Sequence, residues 1–484
     1  MSTNPDRGGG SSRGILEKSR ALAIENSTRQ DSICAPRRQR PSRPARRAAF
    51  GFSTSSERID GHTQLRCVAR RMLSRPMEPE QAYIAKLAKN DEPIILTSEE
   101  RARHVYIVGK SGSGKSTMLR NLAVLDILNG EGVAYIDPHG DHAAEIADCI
   151  PKNRTHEVCY LNVADTACPV GFNPIAGVPP ERHALAAAGI VSGFKDLFGE
   201  SWGPRLEWYL YNGIATLLEH PRATLVDLPL LYSNDAFRAA AIARVSDPIT
   251  RRFWLEEYLP HDKKYRAEAA SPILNKIGQF TASPNVRAII GQARPKFDLG
   301  FAMNNRRIVI LNLAKGVIGE QATNVLGSLF ISHLHLQALS RSQDAPESRV
   351  PFFAHIDELQ SFKTDTIASI LSEARKFALH LALANQFTDQ LSPRVRSAIF
   401  GNVGSLVVYR VSGSDAEILA PEFHPLPANA LADNSPFVAY MRRSSYGHYL
   451  IHAAPAIELP QGRLDTVIEQ SRRRFGRWQP ELGL

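Results

Sequence analysis

The stretch RHVYIVGKSGSGKST, residues 103–117, joins an apolar segment to a glycine-rich loop. Its apolar part, HVYIVG, predicts a buried β-strand, and the residues from about Lys115 to Asn129 predict a helix. The loop between them matches the pattern G-x-x-x-x-G-K-[ST] at every position, and a strand before it and a helix after it are the context that a phosphate-binding loop requires. The predicted nucleotide-binding residues are Gly109, Lys110, Ser111, Gly112, Ser113, Gly114, Lys115, Ser116 and Thr117.

The residue types in this loop suit a nucleoside triphosphate. Glycines let backbone N–H groups turn towards phosphate oxygens, and the following helix points its positive N-terminal end at the same phosphates. Lys115 is predicted to neutralise the β- and γ-phosphates, and the Ser116 hydroxyl is predicted to ligate Mg²⁺. The sequence therefore predicts ATP and Mg²⁺ as the ligands of this loop.

A second apolar segment, PFFAHIDE (351–358), ends in two acidic residues. Beside a phosphate-binding loop, Asp357 is expected on the Mg²⁺ shell, and Glu358 is expected to act as the general base on the attacking water. A strand followed by a solvated acidic turn is the alternative. Gln386 ends the next apolar segment, where a polar side chain faces the ligand crevice of a parallel sheet. It is predicted to sense the γ-phosphate or to orient water, and a simple turn contact is the alternative.

Two further positions leave their roles open. Arg375 lies in SEARKFA, at the end of a predicted helix, and is a candidate arginine finger for a neighbouring subunit. Spacing alone favours a solvated arginine at a helix end instead. The segment DPHGDH (137–142) contains acids and histidines, but its proline and glycine favour a turn over a dedicated metal site. Asp137 is expected near Mg²⁺ or the phosphate-binding loop, because its strand should neighbour the loop's strand.

Strand and helix patterns alternate along most of the chain, which predicts an α/β fold: a mainly parallel sheet flanked by helices. Residues 178–300 differ, because Leu206, Leu210 and Ile214 follow helical spacing and no convincing strand is present. The predicted order is a disordered basic tail (1–76), the first part of a P-loop ATPase core (77–177), an all-α insertion (178–300), the second part of the core (301–455), and a C-terminal helix and tail (456–484).

The charge of the chain is unevenly distributed. The 484 residues carry a formal net charge of +9, but residues 1–76 hold 16 basic and 6 acidic residues, which leaves 42 basic and 43 acidic residues in the rest. The tail is centred on RRQRPSRPARR (37–47) and is predicted to be disordered. One interpretation is a basic arm that binds nucleic acid or an acidic membrane surface. The other is a solvated tail without a dedicated partner. A transit peptide and a translation start at Met77 are further alternatives.

Composition also bears on the compartment. No run of roughly 18 apolar residues occurs, so no membrane-spanning helix is expected. The five cysteines form no C-x-x-C pair, which argues against a zinc ribbon or a redox site. These features predict a cytoplasmic protein, and the resemblance given below implies that any attachment to the inner membrane is peripheral and through a partner.

Further segments join the two described above and together cover about residues 94–475. They are GVAYIDPHGD (132–141), GFNPIAG (171–177), WGPR (202–205), NKIGQF (275–280), LNLAKGVIGEQATNVLG (311–327), ILSEARKFALHLALANQ (370–386) and IFGNVGSLVVYRV (399–411). This combination resembles the FtsK–HerA superfamily of P-loop motors. Within it, the chain is similar to the TraG/TraD-like coupling ATPases of conjugative DNA transfer and type IV secretion.

The resemblance implies a RecA-like core with an all-α insertion, assembled as a homo-hexameric ring. Nucleotide would lie between subunits, and DNA would pass through the central channel. The roles implied are Walker A for Lys115 and Ser116, Walker B for Asp357 and Glu358, sensor for Gln386, and trans-acting arginine for Arg375.

The function implied is an ATP-driven DNA translocase or coupling ATPase that works with a secretion-system or relaxosome component. Many coupling proteins have N-terminal membrane helices, whereas this chain has an arginine-rich tail, so a soluble HerA-like helicase in DNA processing is an alternative. A second alternative is an ATPase that delivers protein substrates to a secretion channel. A third is a scaffold that binds ATP without turning it over, against which Lys115 and Glu358 argue.

Overall fold

A computed structural model describes residues 81–198, 202–362, 365–444, 447–457, 459 and 462–478. The predicted basic tail, residues 1–76, lies outside the described residues, as do residues 479–484. All of the described residues belong to one compact unit.

Eleven strands form one sheet in the described part of the chain. They are β1 (Gln81–Leu87), β2 (Pro93–Thr97), β3 (Val105–Val108), β4 (Gly132–Asp137), β5 (Val158–Asn162), β6 (Ile308–Asn312), β7 (Phe352–Ile356), β8 (Leu379–Asn385), β9 (Ser405–Val408), β10 (Val438–Arg443) and β11 (Gly447–Ala453). Their order across the sheet is β2-β1-β11-β10-β9-β3-β8-β7-β4-β6-β5.

The strands from β9 to β5 are parallel, and β10, β11, β1 and β2 extend the sheet on one side as antiparallel strands. Strands β3, β4, β7 and β8 are buried along their whole length. Parallel strands covered on both faces have continuous apolar sequences, which is the pattern that these segments show. The predicted α/β class with a mainly parallel sheet is therefore confirmed.

Helices connect the strands. They are α1 (Ser98–Arg101), α2 (Lys115–Leu128), α3 (Asp141–Asp148), α4 (His183–Phe198), α5 (Pro204–Leu218), α6 (Leu228–Ser233), α7 (Asp235–Ile242), α8 (Pro248–Arg252), α9 (Lys263–Ala282), α10 (Pro284–Ile290), α11 (Leu299–Asn304), α12 (Lys315–Ile318), α13 (Glu320–Ser340), α14 (Thr366–Glu373), α15 (Pro393–Asn402), α16 (Gly413–Leu419), α17 (Ala428–Ala432) and α18 (Leu464–Phe475).

Each face of the sheet has its own hydrophobic layer. Along β3, Val105 and Ile107 pack in one layer with α2, α3 and α18, and Tyr106 and Val108 pack in the other layer with α4 and α13. Successive side chains of a strand point to opposite faces, so a four-residue strand contributes to both layers. The phosphate-binding loop follows directly from this doubly buried strand.

In the region between β5 and β6, the regular elements of the described residues are helices, apart from one isolated bridge between Val170 and Gly476. Its Phe194 and Trp254 belong to the same hydrophobic layer as Ile136 of β4. This helical region thus packs onto the sheet without a separate core of its own. The limits assigned to it, residues 178 and 300, remain a prediction.

Candidate nucleotide-binding site

The loop at residues 109–114 has a backbone that its glycines make possible. Gly112 and Gly114 have φ angles of 71° and 109°, in the region that favours glycine. A Cβ added to Gly109 would lie 2.5 Å from the Tyr409 Cβ atom, so this position has no room for a side chain. The Lys110 amide donates a 2.8 Å hydrogen bond to the Arg410 carbonyl at the end of β9, which anchors the loop to the sheet.

Lys115 begins helix α2 directly after this loop and is buried. Within the described residues, its ammonium group has one hydrogen-bond acceptor, the Lys110 carbonyl oxygen at 3.4 Å. Burial lowers the pKa of Lys115, and the charges of Glu358 and Asp357 partly offset that effect. A buried ammonium group with a single long hydrogen bond suits an anionic ligand such as a phosphate, which would supply the missing acceptors.

Ser116 and Asp357 come together from different parts of the chain. The Ser116 hydroxyl lies beside the carboxylate of Asp357, which directly follows β7. Burial raises the pKa of Asp357, the nearby Ser116 hydroxyl partly offsets that rise, and the nearby carboxylates of Glu358 and Asp137 add to it. A divalent cation beside Asp357 would relieve this repulsion.

Asp357 and Ser116 suit Mg²⁺, which needs few protein ligands, better than they suit a metal ion whose ligands all come from the protein. Among the described residues, no group of three or more His, Cys, Asp or Glu side chains is placed to hold a metal ion. Mg²⁺ typically takes one or two protein ligands and completes its shell with water and phosphate oxygens. The Ser116–Asp357 pair provides that small set next to the phosphate-binding loop.

Glu358 lies between the acidic strand end and Gln386. Its carboxylate oxygens accept hydrogen bonds from the Gln386 side-chain amide at 2.9 and 3.1 Å, and from the Gln360 side-chain amide. The Glu358 backbone has a φ of 48°, a left-handed conformation that is uncommon for glutamate. Its amide donates to the Asp357 carboxylate at 2.9 Å. The predicted base and the predicted sensor are thus in direct contact at the carboxyl edge of the sheet.

Asp137 stabilises a turn. Its two carboxylate oxygens accept backbone hydrogen bonds from His139 and Ala143, both at 2.9 Å. These contacts fold residues 138–143 into the entry of helix α3 and use one acceptor site on each carboxylate oxygen. Asp137 does lie near the loop site, because its charge raises the pKa of Asp357.

Arg375 lies at the amino ends of the parallel strands, on the side of the sheet opposite to the phosphate-binding loop. It is exposed, in a short 3₁₀-helix (Ala374–Phe377) that precedes the amino end of β8, whereas Gln386 follows the carboxyl end of β8. Its charge contributes to lowering the pKa of His104, which precedes the amino end of β3. A seven-residue strand spans about 23 Å. Arg375 is therefore too far from the phosphate-binding loop of its own chain to contact a nucleotide there.

One residue next to the loop has no role in the sequence analysis. Phe437 precedes β10, and its amide donates a 3.2 Å hydrogen bond to the Ser113 carbonyl within the loop. In the sequence, this phenylalanine is simply the first residue of an apolar strand segment, FVAYMRR. Strands β9 and β10 lie far from the loop in the sequence. Phe437 comes to lie beside the loop only because β10 pairs with β9.

Solved structures share this architecture. The bacterial conjugative coupling protein TrwBdeltaN70, in its unbound form, matches with a TM-score of 0.56 and 16% identity over 84% of this chain and 94% of its own. The chain has the TrwB fold. The complex of TrwB with ADP and Mg²⁺ matches with a TM-score of 0.55 and 17% identity, covering 84% of this chain and 96% of TrwB. VirB4 of Thermoanaerobacter pseudethanolicus matches with a TM-score of 0.51 and 12% identity, covering 78% and 96%.

The shared TrwB fold confirms the predicted resemblance and the RecA-like fold class. No protein-family model matches the sequence, and no curated protein matches it significantly. None of the described helices is both long and apolar enough to cross a bilayer.

Proposed function

We propose that this protein is a P-loop ATPase that hydrolyses Mg·ATP. The observation that carries the proposal is the convergence of Lys115, Ser116, Asp357, Glu358 and Gln386 at one edge of the sheet, although they are widely separated in sequence. A phosphate-binding loop, a Mg²⁺-ligating pair and a general base with an amide partner are the groups that hydrolysis of a triphosphate needs. TrwB structures with ADP and Mg²⁺ and with an ATP analogue, which share this fold, agree with these ligands.

Each group has a defined task in this reaction. Lys115 and the amino end of α2 hold the phosphates, and Ser116 and Asp357 hold Mg²⁺, which neutralises charge that develops on the phosphate oxygens. Glu358 accepts a proton from a water molecule while the oxygen of that water attacks the γ-phosphorus. The bond between the γ-phosphorus and the oxygen that bridges it to the β-phosphate breaks, and ADP leaves. Gln386 orients Glu358 through their hydrogen bond and contacts the water or the γ-phosphate.

The proposed enzyme works as a homo-hexameric ring. Support for a site shared between subunits comes from Arg375, which is exposed and about one strand length away from its own phosphate-binding loop, and the number of six subunits follows the resemblance to ring-forming P-loop motors. An arginine finger in this position acts only on the nucleotide of a neighbouring subunit. Such a finger contributes roughly 10³–10⁵ to the rate of phosphoryl transfer.

We further propose that ATP hydrolysis drives movement of DNA, in association with a secretion-system or relaxosome component at the cytoplasmic side of the inner membrane. Two solved proteins with this fold support the proposal, one named a conjugative coupling protein and the other VirB4. The cargo is the part of the proposal that rests on likeness of fold, so it needs a direct test.

The decisive experiment measures ATP hydrolysis with single-stranded DNA, with double-stranded DNA and without DNA, over a range of salt concentrations. DNA is expected to raise the rate, and salt is expected to weaken that stimulation, because phosphate contacts release counterions. Lys115→Ala should be inactive in every condition, whereas Lys152→Ala, which changes an exposed lysine away from the loop, should behave as wild type.

Other outcomes separate the alternatives. Equal rates with and without DNA at every salt concentration would reject the DNA motor while leaving the ATPase intact. Co-purification of a secreted protein that raises the rate would then favour an ATPase for protein cargo. A mass measurement of the purified protein in the presence of ATP tests the ring directly.

A further inference from the structure

An exposed aromatic ring stands beside the phosphate-binding loop. The side chain of Phe437 is 57% exposed, and its Cδ1 atom lies 3.1 Å from the place that a Cβ on Gly114 would occupy. The Phe437 amide donates to the Ser113 carbonyl at 3.2 Å, and its carbonyl accepts from the Ala453 amide at 2.8 Å. The ring is thus held against the last residues of the loop by hydrogen bonds on both sides of its own backbone.

The backbone of Phe437 is also strained. Its φ of 62° is left-handed, a conformation that is a genuine outlier for a bulky side chain and costs on the order of what one hydrogen bond contributes. Such conformations persist where the surrounding structure holds them, and they cluster at ligand-binding sites. Here the left-handed conformation occurs at a large apolar ring that contacts solvent instead of the core.

The nucleotide proposed above has a part that the loop does not bind. The loop, Lys115 and Ser116 recognise phosphates and Mg²⁺, and no group placed so far contacts the nucleoside. The base of a nucleotide is a flat aromatic surface that stacks well on an aromatic side chain. We propose that Phe437 is the surface on which the purine base of the bound nucleotide stacks. This inference rests on the proposed function and assigns the nucleoside end of the same site.

Stacking has a consequence for substrate choice. It depends on the area of the ring and reads no pattern of hydrogen bonds, so every base can stack to some degree. Purines have the larger ring system. Binding through Phe437 therefore favours purine over pyrimidine nucleotides and discriminates little between adenine and guanine.

The test compares a nucleotide with its phosphates alone. Isothermal titration calorimetry measures the affinity of Mg·ADP and of Mg·pyrophosphate for wild type and for Phe437→Ala. Phe437→Ala is expected to weaken Mg·ADP about five- to a hundredfold, as base stacking predicts, and to leave Mg·pyrophosphate within about twofold. Phe437→Trp should bind Mg·ADP at least as well as wild type, and wild type should bind Mg·ADP more tightly than Mg·CDP.

Matched variants separate the ring from its fold. Phe301→Ala removes a ring that is equally exposed, at 56%, in helix α11 before the amino end of β6, and should leave both affinities unchanged. Phe437→Leu keeps an apolar side chain against Gly114 without an aromatic face, and should weaken Mg·ADP as Phe437→Ala does. Phe437→Gly relieves the left-handed strain, so it should melt at a higher temperature than Phe437→Ala and bind Mg·ADP equally poorly.

Three results would overturn the inference and leave the proposed function standing. Equal losses of Mg·ADP and Mg·pyrophosphate in Phe437→Ala would mean that the ring only shapes the loop, and an unchanged Mg·ADP affinity would mean that the ring does not touch the base. A wild-type protein that binds Mg·pyrophosphate but gains nothing from the nucleoside would overturn this inference and leave the phosphate site standing. A wild-type protein that binds neither would overturn the proposed function as well.

Discussion

Glu358 combines a strained backbone with a side chain whose two carboxylate oxygens both accept hydrogen bonds. Its left-handed φ turns the chain immediately after Asp357, so that two adjacent carboxylates serve different tasks: one faces Ser116 and the other faces Gln386. A strand that simply continued would place these side chains on opposite faces of the sheet. The left-handed turn at Glu358 therefore explains how the side chains of two adjacent acidic residues reach one site.

Glu358→Gln should remove turnover and keep nucleotide binding. The amide keeps the size of the side chain and an oxygen that accepts from Gln386, but it cannot take the proton from water. Steady-state ATP hydrolysis should fall by roughly 10²–10⁴, while the calorimetric affinity for Mg·ATP should stay within a few-fold. Glu347→Gln, at an exposed position, serves as the control. Normal turnover in Glu358→Gln would remove the residue from the base role.

The buried carboxylate of Asp357, which is proposed to hold Mg²⁺, destabilises the nucleotide-free protein at neutral pH. Its pKa is raised by burial, so it binds its proton more tightly in the folded chain than in the unfolded chain. Stability that depends on this proton is present at low pH and is lost as pH rises from the usual aspartate pKa of about 3.9 through the higher folded value. At neutral pH, the buried carboxylate therefore costs folding free energy.

Asp357→Asn should accordingly raise the melting temperature of the nucleotide-free protein at pH 7 and abolish the stabilisation that Mg·ADP gives to wild type. Thermal unfolding from pH 4 to 8, with and without Mg·ADP, measures both effects. Asp344→Asn, at an exposed position before the amino end of β7 and thus at the opposite end of the strands from the site, provides the matched control. A variant that melts lower than wild type at pH 7 but equally at pH 4 would contradict the cost assigned to the carboxylate.

At the scale of elements, a buried charge network ties the loop's helix to the acidic strand. Asp126 of α2 forms an ion pair with Arg101 of α1 and accepts a 2.8 Å hydrogen bond from His355 of β7. Burial alone would raise the pKa of Asp126, but the Arg101 charge and the His355 hydrogen bond hold it below its usual value. The network fixes α2, which begins at Lys115, against β7, which ends before Asp357.

Asp126→Ala should therefore destabilise the fold by about 3–5 kcal/mol, because it leaves the buried Arg101 guanidinium without its counter-charge. Guanidinium chloride unfolding measures this change. Glu256→Ala, which breaks an exposed pair with Arg252, should cost less than about 0.5 kcal/mol. A loss in Asp126→Ala no larger than that of Glu256→Ala would show that the network does not hold the two elements together.

The sequence predicts elements where local pattern decides them and misses them where pairing does. Continuous apolar segments gave β3, β7 and β8, and the glycine pattern gave the loop between β3 and α2. Strand β1 was not predicted, because its place depends on pairing with β11, which lies far away in the chain. Strand β5 was missed as well; it is a short strand at the sheet edge, supported by α18, whose Ser471 hydroxyl accepts from the Tyr160 amide.

The site follows the same division. The residue types around the phosphates are legible because phosphate and Mg²⁺ chemistry restricts them to glycine, lysine, serine and carboxylate at fixed spacing. Their convergence follows from parallel strands, whose carboxyl ends share one edge. Phe437 carries no such signature, since stacking asks only for an aromatic ring, and its position depends on how β10 joins the sheet. The turn role of both Asp137 oxygens was likewise not visible in the sequence.

At the scale of the whole molecule, the two edges of the sheet divide the proposed reaction between subunits. One edge holds the phosphate site and the opposite edge presents Arg375, so under the proposed mechanism a single chain lacks a complete active site. Arg375→Ala should abolish turnover and leave the affinity for Mg·ATP nearly intact, because the arginine contributes to the transition state in a neighbour.

This division predicts that two inactive variants restore each other. In a mixture of Lys115→Ala and Arg375→Ala subunits, an Arg375→Ala subunit keeps its phosphate site and receives the finger of a Lys115→Ala neighbour. Equal amounts, mixed and allowed to exchange, should recover up to about a quarter of wild-type ATP hydrolysis if sites act independently in a closed ring. The control replaces the Lys115→Ala partner with a chain that carries both substitutions and offers no finger, so it should recover nothing. If the mixture stays as inactive as its components although the subunits co-assemble, Arg375 does not act across a subunit boundary. Catalysis would then give no reason for the subunits to form a ring.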